Sequence, residues 1–147
     1  MIKRSKKIFL FSFLALLAFA LTAGFYLYNK GPLDVRNSTS IAVNADELYT
    51  LYTSDSVKAG KKFTSKVLLV QGEISEVSTN LKNEQIILVK TGTPGAYVNC
   101  TLQETAENLV PGAQVSIKGI CSGIGEGDPG LGLPGDVYLT RCIVSNK

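Results

Sequence analysis

The stretch that most restricts this chain is an apolar run of 21 residues, Ile8 to Tyr28, without one charged side chain. As a helix rising about 1.5 Å per residue, such a run covers roughly 30 Å, the hydrocarbon thickness of one bilayer. Lys3, Arg4, Lys6 and Lys7 precede it. A basic flank of this kind stays cytoplasmic, so the chain beyond Lys30 is sent across the membrane. Residues 1–7 are therefore expected as a basic cytoplasmic segment and 8–28 as a signal-anchor. Phe25, Tyr26 and Tyr28 then lie near the outer interface. A cleaved signal peptide is the alternative, with Ala18-Phe19-Ala20 as an A-x-A-like site after the apolar stretch Ile8–Leu17. The run continues eight residues past Ala20, which a cleaved peptide does not need. No Cys lies near its end, so the usual lipoprotein attachment is not expected.

The charge balance of the remainder differs from that of the whole. The full chain carries +3, but beyond the first seven positions eleven basic residues face twelve acidic ones, a net charge of −1. No electrostatic footprint for a polyanion is visible. The chain has no His, which excludes a His-based triad, a His-ligated metal and the usual general base at neutral pH. No paired-carboxylate motif or activated nucleophile emerges either. The expectation is a protein that is not an enzyme, with no catalytic residues, cofactor or metal.

Residues 29–43 read as a linker, since Gly31–Val43 is polar, opens with Gly-Pro and lacks periodicity. One domain is expected over 44–147. Asn44 or Asp46 can cap a helix in which Leu48, Leu51, Tyr52 and Val57 recur at helical spacing. Ser54-Asp55 can restart a turn to about Lys62, with Phe63 as an anchor, so that this segment caps one end of a sheet. Strand signals follow at Lys66–Val77, Gln85–Lys90, Ala96–Leu102, Gln114–Cys121 and Asp136–Val144. One or two helical turns fit Glu104–Leu109 before Pro111-Gly112. Five strands with a short helix between the third and fourth is the order of an OB-type Greek-key barrel. Gly72 suits the first strand, which must bend to join both sheets.

This order of elements and the residues within them resemble the "tRNA_anti-like" family of bacterial exported or membrane-anchored OB-fold proteins. The resemblance rests on Ala45-Asp46-Glu47-Leu48-Tyr49, Ala59, Lys62-Phe63, Val70-Gln71-Gly72-Glu73-Ile74 and Val98-Asn99-Cys100. It continues through Leu109-Val110-Pro111-Gly112, Val115 to Gly123, Val137-Tyr138-Leu139 and Cys142. It implies a mainly β domain over roughly 44–145, presented outside the cytoplasmic membrane. The family name reflects kinship of fold with anticodon-binding domains and does not imply RNA binding.

Candidate contacts follow from position in such a barrel. Tyr97 and Tyr138, with Lys90, Lys118 and Arg141, can occupy outward or rim positions, as in single-strand binders; solvated strand faces carry the same residues. Gly123–Gly135 joins the fourth and fifth strands and borders the usual binding face. It reads either as a mobile surface loop or as a contact, with Glu126 and Asp128 as its candidate groups. A phosphate cradle is excluded because a strand, not a helix, follows the glycines. The third and fifth strands of such a barrel run parallel, making Cys100–Cys142 the easier pair for a disulfide. Export permits one; the competing reading is three buried small hydrophobes. Cys142 shares the parity of Val137 and Leu139 only if a bulge intervenes.

The expected protein is a single-pass binding or scaffold module of the cytoplasmic membrane, its domain extracytoplasmic. Its partner would be an envelope protein or a small ligand. Single-stranded nucleic acid or oligosaccharide binding is the alternative, with nucleic acid disfavoured by charge.

Overall fold

The computed structural model describes residues 2–29, 31 and 33–145; Met1, Lys30, Pro32, Asn146 and Lys147 lie outside the described residues. The chain divides into two compact units, Met1–Asp34 and Val35–Lys147. The first holds helix α1 (Ile2–Asn29), rich in the Leu and Ala that favour helix. Its 19 residues Phe11–Asn29 are long and apolar enough to cross a membrane.

The second unit begins with strand β1 (Ile41–Asn44) and the helices α2 (Ala45–Ser54) and α3 (Ser56–Phe63). Strands β2 (Val67–Thr79), β3 (Gln85–Lys90), β4 (Tyr97–Leu102), β5 (Gln114–Ile124) and β6 (Val137–Val144) follow. The sheet order is β1-β2-β3-β4-β6-β5, and pairing of β2 with β5 closes it. The five strands β2 to β6 thus form a closed mixed OB-type barrel in which β4 and β6 run parallel. Gly72 sits at the bend of β2. Residues 67–73 pair with β5, and 74–79 pair with β3. A Cβ at this position would lie 2.5 Å from Val89 Cγ1 and 3.3 Å from Ala45 Cβ, so only glycine lets strand, strand and helix meet there.

Alternation along each strand fills the barrel. Leu68, Val70, Ile74, Ile87, Val89, Val98, Ile117, Val137 and Leu139 are fully buried. Each such side chain contributes about 1.5–3 kcal/mol of burial. Helices α2 and α3 add Leu48, Tyr52, Ala59 and Phe63 to the same core, with Leu51 partly buried against it, as the capping role of this segment requires. Asp55 starts α3 by accepting the Lys58 backbone N–H at 3.0 Å. Asp46 instead accepts from the N–H of Gly92 at 2.7 Å, tying α2 to the β3–β4 turn.

Two details differ from the sequence reading, and a third meets a condition it set. Ile41–Asn44, largely assigned there to the linker, pairs in parallel with Leu68–Gln71, and Val35 is buried. Segment 104–109 is not a helix; the second helix of the fold lies before the barrel as α3. Contacts with distant strands and one left-handed residue hold it in another shape. The Gln103 N–H bonds to the carbonyl of Cys142, and the Ala106 N–H goes to the Gln85 side chain at 2.8 Å. Asn108 has φ of 61°, a left-handed geometry that ends a helical turn. Third, the bulge that Cys142 needs is present. Register between β4 and β6 shifts after Cys100–Leu139, Arg141 takes φ of 51°, and Cys142 turns into the core.

Candidate ligand-binding face

Because Ile87 and Val89 point inward, their neighbours Ile86 and Leu88 stand on the outer surface of β3, where both are half-buried. Inward Val98, Cys100 and Leu102 likewise put Tyr97, Asn99 and Thr101 on the outer surface of β4. On β6 the outward pair is Tyr138 and Thr140. Register lines these residues up across four strands, in a row of Glu76, Leu88, Asn99 and Tyr138. A second row runs through Ser78, Ile86 and Thr101, and Tyr97 stands opposite Lys90. The face therefore combines Ile86, Leu88, Tyr97 and Tyr138 with the neutral hydrogen-bonding side chains of Ser78, Asn99 and Thr101, and carries Glu76 at the β2 end of its central row.

Its charges are largely engaged. Lys90 forms an ion pair with Glu73, and Glu76 adds a negative charge to the central row. Lys118 is on β5, where it donates to the carbonyl of Arg36 at 3.0 Å. Arg141 occupies the β6 bulge and is exposed. The five side chains suggested by the sequence as an outward set thus do not converge. Tyr97 and Tyr138 share the face, with Lys90 at its edge.

Segment 125–136 borders the face as a knitted hairpin. The Gly125 N–H bonds to the carbonyl of Asp136 at 2.8 Å, and Asp128 bridges to Leu133. At the tip, the Asp128 carboxylate accepts the N–H groups of Gly130 and Leu131 at 2.9 and 3.2 Å, an arrangement typical of Asp at turns. Asp128 is thus committed to the turn, while Glu126 is exposed. Gly127 and Gly135 face the opposing backbone so closely that a Cβ on either would overlap it. Leu131 and Leu133 are displayed at 73% and 53% exposure.

Two contacts that sequence reasoning missed join hairpin to face. The Tyr138 ring lies over Gly125, where a Cβ would stand 2.6 Å from the ring. Asp136 accepts the Tyr97 N–H at 2.9 Å. Burial raises the Asp136 pKa above its ordinary value, with this hydrogen bond opposing the rise. Neither contact has a signature in spacing, because both depend on which strands become neighbours. At the other edge, the side chain of Asn80 accepts from Lys82 and Glu84 and fixes the β2–β3 loop, whose Leu81 is fully exposed.

The cysteines lie beneath this face. Cys100, Cys121 and Cys142 are all buried and unbridged. The Tyr52 hydroxyl lies 3.3 Å from Cys121 Sγ and 2.9 Å from Thr64 Oγ1. Burial, then the Cys121 contact, pushes the Tyr52 pKa up to about 12, so it stays protonated.

A mainly β closed barrel defines an OB-type fold, and the chain adds to it one N-terminal helix long and apolar enough to cross a membrane. The chain belongs to the tRNA_anti-like family, whose model matches residues 1–131. Among solved structures it is similar to a candidate nucleic acid-binding lipoprotein from Klebsiella pneumoniae subsp. pneumoniae MGH 78578. The TM-score is 0.54 at 13% identity, covering 79% of this chain and 100% of that one. This likeness establishes shared fold. No curated protein matches the chain in sequence.

Proposed function

We propose that this chain is a membrane-anchored, non-enzymatic binding module. Residues 8–28 hold it in the bacterial cytoplasmic membrane, and the OB domain is presented on the outer side. The observation that carries the reading is the surface of Ile86, Leu88, Tyr97 and Tyr138, with Lys90 already engaged by Glu73. Such a surface gains from desolvation against a protein, peptide or small neutral ligand. It offers little to a phosphate backbone, whose binding scales with the number of cations supplied. The basic flank and the apolar helix support the anchor and its orientation. Segment 125–136 supplies one wall of the site, with Glu126 as its exposed charge.

Single-stranded nucleic acid is the second reading, with Tyr97 and Tyr138 as stacking platforms; the Klebsiella neighbour is described as nucleic acid-binding. A salt titration of the full chain in detergent, with a labelled single-stranded oligonucleotide, separates the two. The expected result is no saturation below about 100 µM at physiological salt, within the range of nonspecific binding. Micromolar binding that falls steeply with salt and is lost in Tyr97→Ala and Tyr138→Ala would replace the first reading by the second. Protease added to intact spheroplasts tests the anchor. The domain should be digested, whereas full protection would place it on the cytoplasmic side.

A further inference from the structure

We propose that Cys100 and Cys142 become a disulfide in the exported protein, stapling β4 to β6 beneath the candidate face, while Cys121 remains a thiol. In the cell this rests on the extracytoplasmic placement proposed above. Three features of the fold select the pair. β4 and β6 are adjacent parallel strands, and the left-handed Arg141 turns Cys142 inward on the side where Cys100 points. Gly119, on β5, which pairs antiparallel with β6, leaves a notch occupied by Cys142 Sγ. Any side chain at 119 would displace that sulfur, so the glycine keeps Cys142 within the core. Cys121 is engaged elsewhere, against the Tyr52 hydroxyl. Register sets Cys142 opposite Leu102, the next inward position along β4 from Cys100, and the neighbouring Cys100 thiol, followed by burial, raises the Cys142 pKa far above its ordinary value.

The chemistry is thiol–disulfide exchange. The thiolate of one cysteine attacks a disulfide donor, a thiol–disulfide oxidoreductase or a small disulfide, giving a mixed disulfide. The second thiolate then displaces the donor sulfur. Two protons and two electrons leave the pair, and the donor is reduced to its thiols. The nucleophile must be a thiolate, and burial suppresses it in the closed barrel. The bridge therefore forms while the chain is folding, and a barrel closed in the reduced state resists later oxidation. The seam it secures carries Tyr97 and Asn99 on one strand and Tyr138 on the other, so the staple also fixes the spacing of the face.

The test traps thiols in membranes of cells making the full chain, by acid quench and alkylation under denaturing conditions, followed by intact mass and peptide mapping. One alkylated thiol, at Cys121, is the expected result, with three after reduction. Spheroplast proteolysis is run in parallel. Three alkylated thiols on an exported domain would overturn the proposal, as would a bridge that includes Cys121. If the domain proves cytoplasmic, the anchor reading fails, and refolding the denatured full chain in detergent with oxidised glutathione decides the pairing. A Cys100–Cys142 bridge there supports it, and none overturns it. Cys121→Ser should keep the bridge, and Cys142→Ser should lose it. Reduction before refolding should lower the thermal midpoint by at least about 5 °C, given the usual effect of a long-loop disulfide.

Discussion

The two ends of the barrel are closed by different means. At one end α2 and α3 drive Leu48, Tyr52, Ala59 and Phe63 into the core, and every one of those side chains is nearly inaccessible. At the other, segment 103–113 crosses without regular structure and leaves an open groove of about 1170 Å³, bordered by Ile74, Glu104, Leu109, Gln114 and Val144. Its closure relies on single hydrogen bonds and on the exposed pair Arg36–Glu104, whose contribution in water is small. Sealing by a plug that precedes the barrel leaves the later connection with only the partly buried Ala106, Leu109 and Ala113 packed against the core.

The largest expected contrast is between truncations at the two ends. Phe63→Ala removes a fully buried ring and should cost about 3–5 kcal/mol in denaturant unfolding. Leu109→Ala, on a half-buried side chain, should cost less than about 1.5 kcal/mol. Equal losses would mean that 103–113 seals as firmly as the helices. Next, Tyr52→Phe removes the hydroxyl shared by Thr64 and Cys121 and should cost about 1 kcal/mol, against roughly half that for Gln85→Ala, which frees the Ala106 N–H. The reverse order would put the stronger polar fastening at the open end.

Smaller effects concern pH. The Lys58 N–H, with the Lys58 side chain, holds the Asp55 pKa below its ordinary 3.8. The unfolded chain then binds this proton more readily, so Asp55 stabilises the plug above the ordinary value and loses that contribution as pH falls through the folded value. Asp55→Ala should lower stability more at pH 7 than at acid pH, relative to the parent chain. Asp136, raised by burial, has the opposite sign, and its cost grows as pH rises from 3.8 through the folded value. Asp136→Asn keeps an acceptor for the Tyr97 N–H and removes that cost, so it should be neutral or slightly stabilising at pH 7. A clear loss of stability there would show that the ionised carboxylate holds the hairpin.

Much of this architecture was legible in the residues. Alternation in five segments, the bend at Gly72 and the helical spacing through Phe63 suffice for the barrel and its plug, since burial enforces all three. The four residues of β1 escaped because pairing, not pattern, makes them a strand. Segment 104–109 misled because the Gln103 N–H before it is taken by β6 and its Ala106 N–H by Gln85, partners invisible along the chain. QIILVK reads as uniformly apolar, so only register reveals that Ile86 and Leu88 face outward while Ile87 and Val89 fill the core. The glycines of 125–136 signal a loop, yet here they allow two backbones to approach and form a hairpin.

The most direct test of the binding face is photocrosslinking in intact cells, with a photoreactive residue placed at Tyr138 or, as a control, at Lys61 on exposed α3. The expected result is a discrete protein or peptide adduct from position 138 that persists at high salt, is absent from position 61 and is lost when Leu88→Glu is added. Equal adducts from both positions would contradict the assignment of the site. Adducts to nucleic acid, or none that Leu88→Glu removes, would contradict the choice of ligand.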